Sequence, residues 1–300
     1  MKIVQSFWSK SIFQLGDDPR YVDKPGNIGS LDWIDRSYFF YSWALSALQL
    51  TRQGRQVVLV TDSVGKKLLV DLIGLPYQEV TLRLNDLSHI PPDFWCLAKL
   101  LAYQEILEPF LHVDYDIFIS SHLVDAMERH GLAALHKEED PLNEQIATKI
   151  ESTVDNCVGF GVSAQKGKSI NTGIIGGENW RLLSEFATMS STCLLANQQN
   201  LLRLMDVMHP KYINRFFDQM LMHNFTVARH LDWHFAMKNI NARKDGLGAV
   251  YDFPTRTSCL HINHEYRRNS RICWQLKQML QTEFPLYFDR INKLLMAGEL

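Results

Sequence analysis

The chain has 300 residues, 46% of them hydrophobic, and its 31 Lys and Arg against 33 Asp and Glu give a net charge of −2. This length holds one large domain or two small ones, and the apolar content is typical of a packed globular protein. The charge balance excludes the basic excess typical of nucleic-acid binding. We therefore expect a globular protein without a nucleic-acid partner.

Cysteine usage and the apolar segments indicate the compartment. Five widely separated cysteines without a Cys-x-x-Cys pair argue against a disulfide framework or a zinc site and favour a reducing cytoplasm. The opening residues are too short and polar for a signal peptide. The longest nearly apolar segment, 38–50, is shorter than the roughly 20 residues of a membrane span. We expect a cytoplasmic protein with no membrane span; peripheral membrane contact stays open.

Apolar patterning and turn residues predict alternating strands and helices. The first half is predicted as a strand at 2–7, a loop at 9–30, a helix at 32–51 capped by Ser30 or Asp32, a strand at 57–61, a helix at 62–74, a strand at 79–84 and a helix at 93–108. The second half is predicted as an exposed helical segment at 125–156, strands at 158–163, 170–176 and 257–263, and helices at 178–208, 214–225, 270–282 and 285–296. Such alternation is typical of an open α/β sheet with helices on both faces.

Two carboxylates interrupt the apolar stretch 110–119, at Asp114 and Asp116. An extended chain points residues i and i+2 to the same side, so both side chains would face one point. A divalent cation there would neutralise charges that are costly to bury. The alternative is that both are turn or cap residues after a strand.

Three further clusters carry polar residues in apolar surroundings. They are Asn171–Gly177, Asp218 with Gln219, and His261 followed by Arg267, Arg268 and Arg271. Glycines in the first allow a ligand to approach the backbone or permit positive φ. The amide of Asn171 suits a sugar hydroxyl, and the arginines suit phosphate. The alternatives are a bulged strand with a tight turn, a polar helix face, a core histidine and a solvated helix start.

The ordered set of motifs resembles the GT-A-fold glycosyltransferases, nearest to the retaining family 8 type (glycogenin-like and bacterial galactosyltransferase-like). The matching features are the opening strand, the helix before the acidic strand, the Asp-x-Asp, the Asn-x-Gly-x-x-Gly-Gly strand, the Asp-Gln and the late histidine, over residues 2–275. The chain is also similar to a group of bacterial proteins of this type that begin with a Gln-Ser-Phe-Trp-like strand. The resemblance implies a single GT-A (Rossmann-like) domain over 1–300. Its open mixed sheet is flanked by helices, with a core at about 1–265 and C-terminal helices at about 266–300.

The resemblance also implies a metal-dependent hexosyltransferase that moves a sugar from a UDP-sugar donor to an unknown acceptor, with retention. The acceptor class stays open between polysaccharide, lipid, peptide and small molecule. The implied roles are Mn²⁺ or Mg²⁺ ligation by Asp114, Asp116 and His261; donor binding by Gln5, Phe7, Lys99, Asp114, Asn171, Gly173 and Arg267; and action at the anomeric carbon by Asp218 and Gln219.

One departure from the family pattern leaves other functions open. The late Gly-Pro-x-Lys-Pro-Trp element is missing after His261, and Glu265-Tyr266-Arg267-Arg268 stands in its place. Arg267 or Arg268 would then replace the lysine at the diphosphate. The absence also favours, as an alternative, a catalytically inactive module that binds a nucleotide sugar or a protein. A haloacid-dehalogenase-type phosphohydrolase shares the Asp-x-Asp, but Phe118 stands where that class has a small residue.

Overall fold

The computed structural model describes residues 1–13, 33–155, 167–237, 257–263 and 266–300. The chain divides into two compact units whose segments interleave along the sequence. Unit 1 comprises Met1, Asp93–His112 and Met127–Ile240, and unit 2 comprises Lys2–Pro92, Val113–Ala126 and Asn241–Leu300. The single-domain organisation expected from the sequence stays a prediction.

Strands form in both units where the sequence is apolar and β-branched. In chain order they are β1 Lys2–Phe7, β2 Val57–Thr61, β3 Glu79–Thr81, β4 Phe110–Val113, β5 Ile117–Ile119, β6 Ala133–Glu139, β7 Lys168–Gly177, β8 His234–Phe235 and β9 Cys259–His261. In unit 2, β3, β2 and β1 lie side by side and parallel. All five residues of β2 are buried, as expected for a parallel strand covered on both faces. A separate antiparallel pair aligns Ile117 of β5 with His261 of β9.

The strands of unit 1 are mixed in direction. Their order is β4-β7-β6-β8. β6 runs antiparallel to β7 and parallel to β8, with an irregularity between Ala134 and His136. The long strand β7 is buried along nearly its whole length. Its position between β4 and β6 buries Ser169, Asn171 and Thr172 together with its three isoleucines.

Both units contain helices, and the last two elements of the chain are helices. In chain order they are α1 Ser9–Phe13, α2 Arg36–Arg52, α3 Ser63–Lys66 with a following π-helical turn Lys67–Leu72, a 3₁₀ turn Arg83–Leu87, α4 Cys96–Glu105, α5 Ser121–Met127, α6 Pro141–Glu151, α7 Trp180–Ala196, α8 Gln198–Leu204, α9 Pro210–Arg215 with a following π-helical turn Phe216–Met220, α10 Leu221–Ala228, a 3₁₀ turn Tyr266–Arg268, α11 Ser270–Glu283 and α12 Pro285–Met296. In unit 2, α2 packs against α11 and α12. Its Phe39, Phe40 and Trp43 are buried, each contributing about 1.5–3 kcal/mol of stability.

The structure confirms the predicted class, a mixed α/β architecture flanked by helices with a helical C-terminal end. Corrections are local. The α2 helix begins after Asp35, whose carboxylate accepts the Ser37 N–H, and not after Ser30 or Asp32. The predicted loop at 9–30 begins with the short helix α1, and its remainder lies outside the described residues. The predicted strand at 158–163 also lies outside them.

One error of type concerns the segment 125–156. We predicted an exposed helical segment, whereas β6 occupies Ala133–Glu139 within it and α6 follows. The first four residues of β6 are buried, and exposure begins only at Lys137. The charged residues at the end of the strand concealed its apolar beginning.

The described ranges contain both free and disulfide-bonded cysteines. Cys96, Cys259 and Cys273 are free and buried. Cys193 is disulfide-bonded, which the expectation of reduced cysteines did not foresee. Burial raises the pKa of Cys259 to about 12. Within these ranges no helix is long and apolar enough to cross a membrane.

Candidate functional site

Asp114 and Asp116 lie in the turn that joins β4 to β5, and not on the face of a strand. The Ile117 N–H donates to the Asp114 carbonyl at 3.1 Å and closes this turn. The ring of Tyr115 stacks on Trp43 at 4.9 Å between centroids. Because the chain turns here, the period-2 argument for Asp114 and Asp116 does not apply. The prediction that both lie on one face of an extended strand is wrong.

Asp116 is a buried carboxylate that lies beside Arg267 and His261. Its side-chain Oδ2 accepts from Arg267 Nη2 at 2.6 Å and lies 3.4 Å from His261 Nε2. Asp116 is 1% exposed. Burial alone would raise the pKa of Asp116, but the charges of Arg267 and His261 outweigh burial and hold it below its usual range. We call Asp116, His261 and Arg267 the Asp116 cluster.

The predicted metal ligands do not fit a cation in this arrangement. Asp116 and His261 come together as predicted, but the guanidinium of Arg267 already contacts the carboxylate oxygen that a cation would use. Among the residues that the structure describes, no group of three or more His, Cys, Asp or Glu side chains is placed to hold a metal ion. Metal ligation by Asp114, Asp116 and His261 therefore stays a prediction that the arrangement does not support.

Arg267 is held on several sides. Its Nε donates to the Ile262 carbonyl at 3.1 Å. Its guanidinium carbon lies 5.8 Å from the Trp33 ring centroid and 5.3 Å from that of Tyr115, within the range of cation–π attraction. The 3₁₀ turn Tyr266–Arg268 carries it, and the Ile34 N–H donates to its carbonyl at 3.2 Å. The side chain keeps 18% of its surface exposed.

Two residues predicted to bind the donor are core residues. Gln5 is fully buried; its Nε2 donates to Ser46 Oγ at 3.0 Å, and its Oε1 accepts from Tyr77 OH at 2.8 Å. Phe7 is 1% exposed and meets the Trp43 ring edge-on at 5.0 Å. Both side chains are buried and bonded or packed within the core, so the assignment of Gln5 and Phe7 to a nucleotide pocket stays a prediction that this arrangement does not support.

In unit 1, Asp218 lies on the π-helical turn Phe216–Met220. Its Oδ2 accepts from Thr172 Oγ1 at 2.6 Å and lies 3.5 Å from Lys99 Nζ. Its Oδ1 is buried and has no hydrogen-bond partner among the described residues. Asp218 as a whole is 7% exposed. We call Lys99, Thr172 and Asp218 the Asp218 cluster.

Lys99 joins the cluster from helix α4 and affects a neighbouring histidine. Its Nζ also donates to the Thr172 carbonyl at 3.1 Å. Burial, and then the charge of Lys99, hold the pKa of His112 well below its usual value. His112 is therefore neutral at physiological pH. Donor binding by Lys99 stays a prediction; within unit 1 its ammonium lies 3.5 Å from Asp218 Oδ2.

The Asn171–Gly177 strand serves packing as well as any ligand. Asn171 is 9% exposed; its Nδ2 donates to Glu138 Oε1 at 2.8 Å, and its Oδ1 accepts the Gly173 N–H at 3.0 Å. A Cβ on Gly176 would lie 2.0 Å from the Phe110 carbonyl. That glycine is required because β4 lies so close.

Gln219 is the most accessible of the predicted reaction residues. It is partly exposed, whereas Asp218 beside it is buried. Both residues lie on a π-helical turn, which widens the helix by one residue and occurs often at functional sites. Sequence patterning placed this pair on a helix face but did not predict the widened turn.

Sequence reasoning missed three contributors. Thr172 holds Asp218, and Glu138 joins Asn171 to Arg215, whose Nη2 donates to Glu138 Oε2 at 2.8 Å. Glu138 was missed because its segment was predicted to be helical. Neither the sequence AALHKEE of this strand nor its spacing gave an alternating signal that could have found Glu138.

A cavity of about 390 Å³ in unit 1 contains none of the predicted site residues. It is lined by His130, Gly131, Leu132, Asn179, Leu231, Asp232, Trp233 and His234. The rings of His130 and His234 stack at 3.8 Å beside it. We assign no chemistry to this cavity.

Twenty-three chains of solved structures match this one. One is the galactosyltransferase LgtC in complex with donor and acceptor sugar analogs: 14% identity, TM-score 0.36, covering 72% of this chain and 70% of that one. Another is the glycosyltransferase GlyE of Streptococcus pneumoniae TIGR4: 12% identity, TM-score 0.40, covering 99% and 64%. A third is mouse xyloside xylosyltransferase 1 in its apo form: 12% identity, TM-score 0.36, covering 87% and 96%. TM-scores of this size do not by themselves establish a shared fold.

Sequence comparison gives a different kind of result. No curated protein matches the chain. A protein-family model does match, and it spans residues 1–294. The match covers nearly the whole sequence, so the chain belongs to the family of unknown function DUF6734.

Proposed function

We propose that this protein is a glycosyltransferase that moves a sugar from a nucleotide-sugar donor, with UDP as the carrier, to an acceptor, and retains the anomeric configuration. The observation that carries this proposal is the buried carboxylate of Asp218. One of its oxygens is bonded by Thr172 and lies near Lys99, and the other has no partner in the described part of the chain.

A carboxylate in this state suits glycosyl transfer. The transition state at an anomeric carbon is oxocarbenium-like and positively charged. A buried carboxylate oxygen without a hydrogen-bond partner can still interact with a positive charge. The electrostatic stabilisation from a preorganised charge is larger in a site that excludes water than in bulk water. Thr172 and Lys99 fix the other oxygen, so Asp218 is oriented before substrate arrives. Asp218 then stabilises the positive charge that develops on the sugar.

The neighbouring residues have supporting roles in this proposal. Gln219, partly exposed on the same π-helical turn, orients the anomeric centre. Asn171 and Gly173 recognise sugar hydroxyls, with the Asn171 amide fixed by Glu138. Lys99, whose Nζ lies 3.5 Å from Asp218 Oδ2, helps to position that carboxylate. No step is assigned to a metal ion, because the predicted ligands do not fit one.

A second candidate is a binding module that holds a nucleotide sugar without transferring it. The ion pair between Arg267 and Asp116 favours it, because an acidic turn already neutralised by a guanidinium lacks the arrangement of a metal-assisted transferase. Nucleotide binding without turnover distinguishes this candidate.

The test uses the full chain and measures binding and turnover separately. Thermal melting is followed with UDP-glucose, UDP-galactose, UDP-N-acetylglucosamine and UDP, each with and without Mn²⁺. Donor hydrolysis without an acceptor is then followed by NMR, which reports the released anomer. Asp218→Asn is compared with Asp206→Asn, an exposed aspartate of the same unit.

We expect at least one donor to raise the melting temperature and to be hydrolysed slowly with the α or β configuration of the donor retained. Asp218→Asn lowers the rate of donor hydrolysis about 100-fold, and Asp206→Asn leaves it unchanged. Binding without hydrolysis in the wild type would support the binding module instead. No shift with any nucleotide would refute both candidates.

Compartment and acceptor belong to the same proposal. We propose a cytoplasmic protein. Free buried cysteines among the described residues (Cys96, Cys259 and Cys273) support this compartment, and the disulfide-bonded Cys193 opposes it. The acceptor is a polysaccharide, lipid, peptide or small molecule, and a lipid acceptor would bring peripheral membrane contact. Thiol titration of protein purified from the native cell tests the compartment: a disulfide at Cys193 in vivo would refute a reducing one.

A further inference from the structure

Glu138 in unit 1 joins a strand to a helix through one carboxylate. It lies on β6, where its Oε1 accepts from Asn171 Nδ2 of β7 at 2.8 Å. Its Oε2 accepts from Nη2 of Arg215, the last residue of α9, at 2.8 Å. The side chains of Glu138 and Arg215 are 25% and 23% exposed, so this ion pair is partly shielded from water. The Asp218 cluster depends on the same two elements, because Thr172 belongs to β7 and Asp218 to the turn that follows α9.

The bond to Asn171 holds β7 where this strand leaves its regular pairing with β6. Ala134 and His136 lie two residues apart on β6, and their partners on β7 lie four residues apart. Extra residues in one strand form a bulge, which bends the strand and redirects a side chain. The Asn171 side chain fixes this bulge, because its Nδ2 is held on β6 while its Oδ1 accepts the Gly173 N–H at 3.0 Å. Thr172, between Asn171 and Gly173, is thereby held in place.

Thr172 links the bulge to the candidate reaction group. Its Oγ1 donates to Asp218 Oδ2 at 2.6 Å, and its carbonyl accepts from Lys99 Nζ at 3.1 Å. The direction of the hydroxyl follows the backbone at Thr172, because a β-branched side chain has little freedom about χ1. A shift of the bulge would therefore move this hydroxyl away from Asp218 Oδ2.

The bond to Arg215 acts on Asp218 from the helix. Arg215 immediately precedes the π-helical turn Phe216–Met220, which carries Asp218. Its Nη1 also lies 3.4 Å from Asp140 Oδ2 at the start of α6. Two carboxylates fix the plane of the guanidinium, which presents its donors in a rigid fork. The beginning of the widened turn is thus tied to β6, and the turn determines where the Asp218 carboxylate points.

A glutamate suits this position because both of its oxygens accept hydrogen bonds. Bonds to an ionised carboxylate are roughly twice as strong as neutral ones. A glutamine of the same shape has one acceptor oxygen and one donor amide, so either Asn171 or Arg215 would face an N–H₂ group instead of an oxygen. The next residue, Glu139, is 69% exposed and lies 3.6 Å from Lys168. It provides a matched control on the same strand.

We propose that Glu138 is a positioning residue for Asp218. Its two bonds hold the bulge of β7 and the beginning of the π-helical turn, and these fix the direction of the Asp218 carboxylate. The inference rests on the proposed function, because it takes Asp218 as the group that stabilises positive charge on the sugar. It goes beyond fixing the Asn171 amide, since Glu138 then governs the rate of transfer rather than the binding of the donor sugar.

The first measurement is hydrogen–deuterium exchange of the full chain without ligand, read by mass spectrometry on peptides that cover 168–177 and 214–222. The proteins are the wild type, Glu138→Gln, Arg215→Gln and the control Glu139→Gln, each shown to be folded by circular dichroism. We expect Glu138→Gln to raise the exchange rate in both peptides at least about threefold, because both segments lose a tether. Arg215→Gln raises it mainly at 214–222, and Glu139→Gln changes it less than about 1.5-fold.

The second measurement is the steady-state hydrolysis of UDP-glucose, UDP-galactose or UDP-N-acetylglucosamine, whichever the wild type hydrolyses. Glu138→Gln is expected to lower kcat about tenfold and to change KM less than about threefold, because a misdirected carboxylate weakens an interaction made in the transition state. Added to Asp218→Asn, it causes no further loss, since a positioning residue acts through the group that it positions. Glu139→Gln leaves kcat and KM within about twofold of the wild type, because independent sites do not couple.

Several results would overturn the inference and leave the proposed function standing. They are unchanged exchange at 214–222 in Glu138→Gln, a rise in KM with kcat unchanged, and a full further loss when Glu138→Gln is added to Asp218→Asn. If Glu138→Gln does not fold, Arg215→Gln decides: unchanged kcat and unchanged exchange at 214–222 overturn the inference. No hydrolysis of any donor by the wild type refutes the proposed function, and faster exchange at 214–222 in Glu138→Gln would then still support the positioning of Asp218.

Discussion

The Asp116 cluster and the Asp218 cluster differ in how the buried carboxylate is stabilised. In unit 2, Asp116 is paired with a guanidinium at 2.6 Å and has His261 beside it. In unit 1, Asp218 has a hydroxyl at 2.6 Å and an ammonium at 3.5 Å on one oxygen, while the other has no partner among the described residues. The first carboxylate is closely matched in charge, and the second is not.

This difference separates stability from reactivity. Removing either partner of a buried ion pair with good geometry strongly destabilises the fold, because the remaining charge is left without solvation. Neutralising a carboxylate that has one unpartnered oxygen removes fewer interactions and so costs less folding stability. The same oxygen can stabilise a positively charged ligand or transition state more strongly. We therefore expect substitutions in the Asp116 cluster to act first on folding, and those in the Asp218 cluster to act first on activity.

The largest effect is expected from breaking the ion pair in unit 2. Arg267→Gln leaves the Asp116 carboxylate buried without its partner, so we expect the free energy of unfolding to fall by about 3–5 kcal/mol, measured by urea denaturation. Arg268→Gln changes it by less than about 0.5 kcal/mol. The double variant Asp116→Asn/Arg267→Gln recovers most of the loss because both charges are gone. Additive losses in the double variant would contradict the pairing.

The second effect reverses the balance in unit 1. Asp218→Asn is expected to lower donor hydrolysis about 100-fold, about 2.7 kcal/mol in the barrier, the cost of removing one preorganised electrostatic group. The same substitution changes unfolding free energy by less than about 1 kcal/mol, because one carboxylate oxygen lacks a partner already. A stability loss as large as that of Arg267→Gln would remove the distinction between the two clusters.

The units also differ in the pH at which acid acts on them. Burial, and then the charge of Lys137, lower the pKa of His223 in unit 1 from 6.5 to about 4. Because the unfolded state binds this proton more readily, stability present above pH 6.5 is lost as the pH falls towards 4, by up to about 1.4 kcal/mol per pH unit. Asp116 of unit 2, with its pKa lowered, contributes stability that is lost only at more acidic pH, below its unfolded value near 3.8.

Urea denaturation between pH 8 and pH 3 checks this. His223→Gln flattens the loss between pH 6.5 and 4, whereas the exposed control His122→Gln does not. Asp116→Asn lowers stability at every pH and changes the shape of the profile only in its more acidic limb. An unchanged profile in His223→Gln would show that other groups carry the proton uptake.

The smallest effect calibrates the others. Lys66 Nζ lies 2.8 Å from Asp71 Oδ1 in unit 2, and the two side chains are 41% and 50% exposed. Surface ion pairs are solvated before and after folding, so Lys66→Ala is expected to change the unfolding free energy by less than about 0.5 kcal/mol. A loss comparable to that of Arg267→Gln would mean that burial is not what distinguishes the Asp116 cluster.

Local sequence patterns predicted most elements because their causes are local. Apolar β-branched runs predicted β1, β2 and β7, and a capping Asp62 and the helical periodicity near the C-terminus predicted α3, α11 and α12. The order of the polar motifs indicated which residues carry chemistry. Both clusters contain residues named from the sequence: Asp116, His261 and Arg267 in one, and Lys99 and Asp218 in the other.

The partners of those residues were decided by tertiary structure. The turn at 114–116, the full burial of Gln5, the Thr172 hydroxyl on Asp218 and the strand β6 each depend on contacts between segments distant in sequence. The sequence around Asp116, a carboxylate followed by an apolar run, would be the same whether a metal ion or an arginine neutralised it. The structure shows that Arg267, 151 residues away, is the partner. Sequence alone determined that charge is buried here, because composition and periodicity are local properties. Only the fold decided what pairs with it, since Coulomb interactions depend on distance in space.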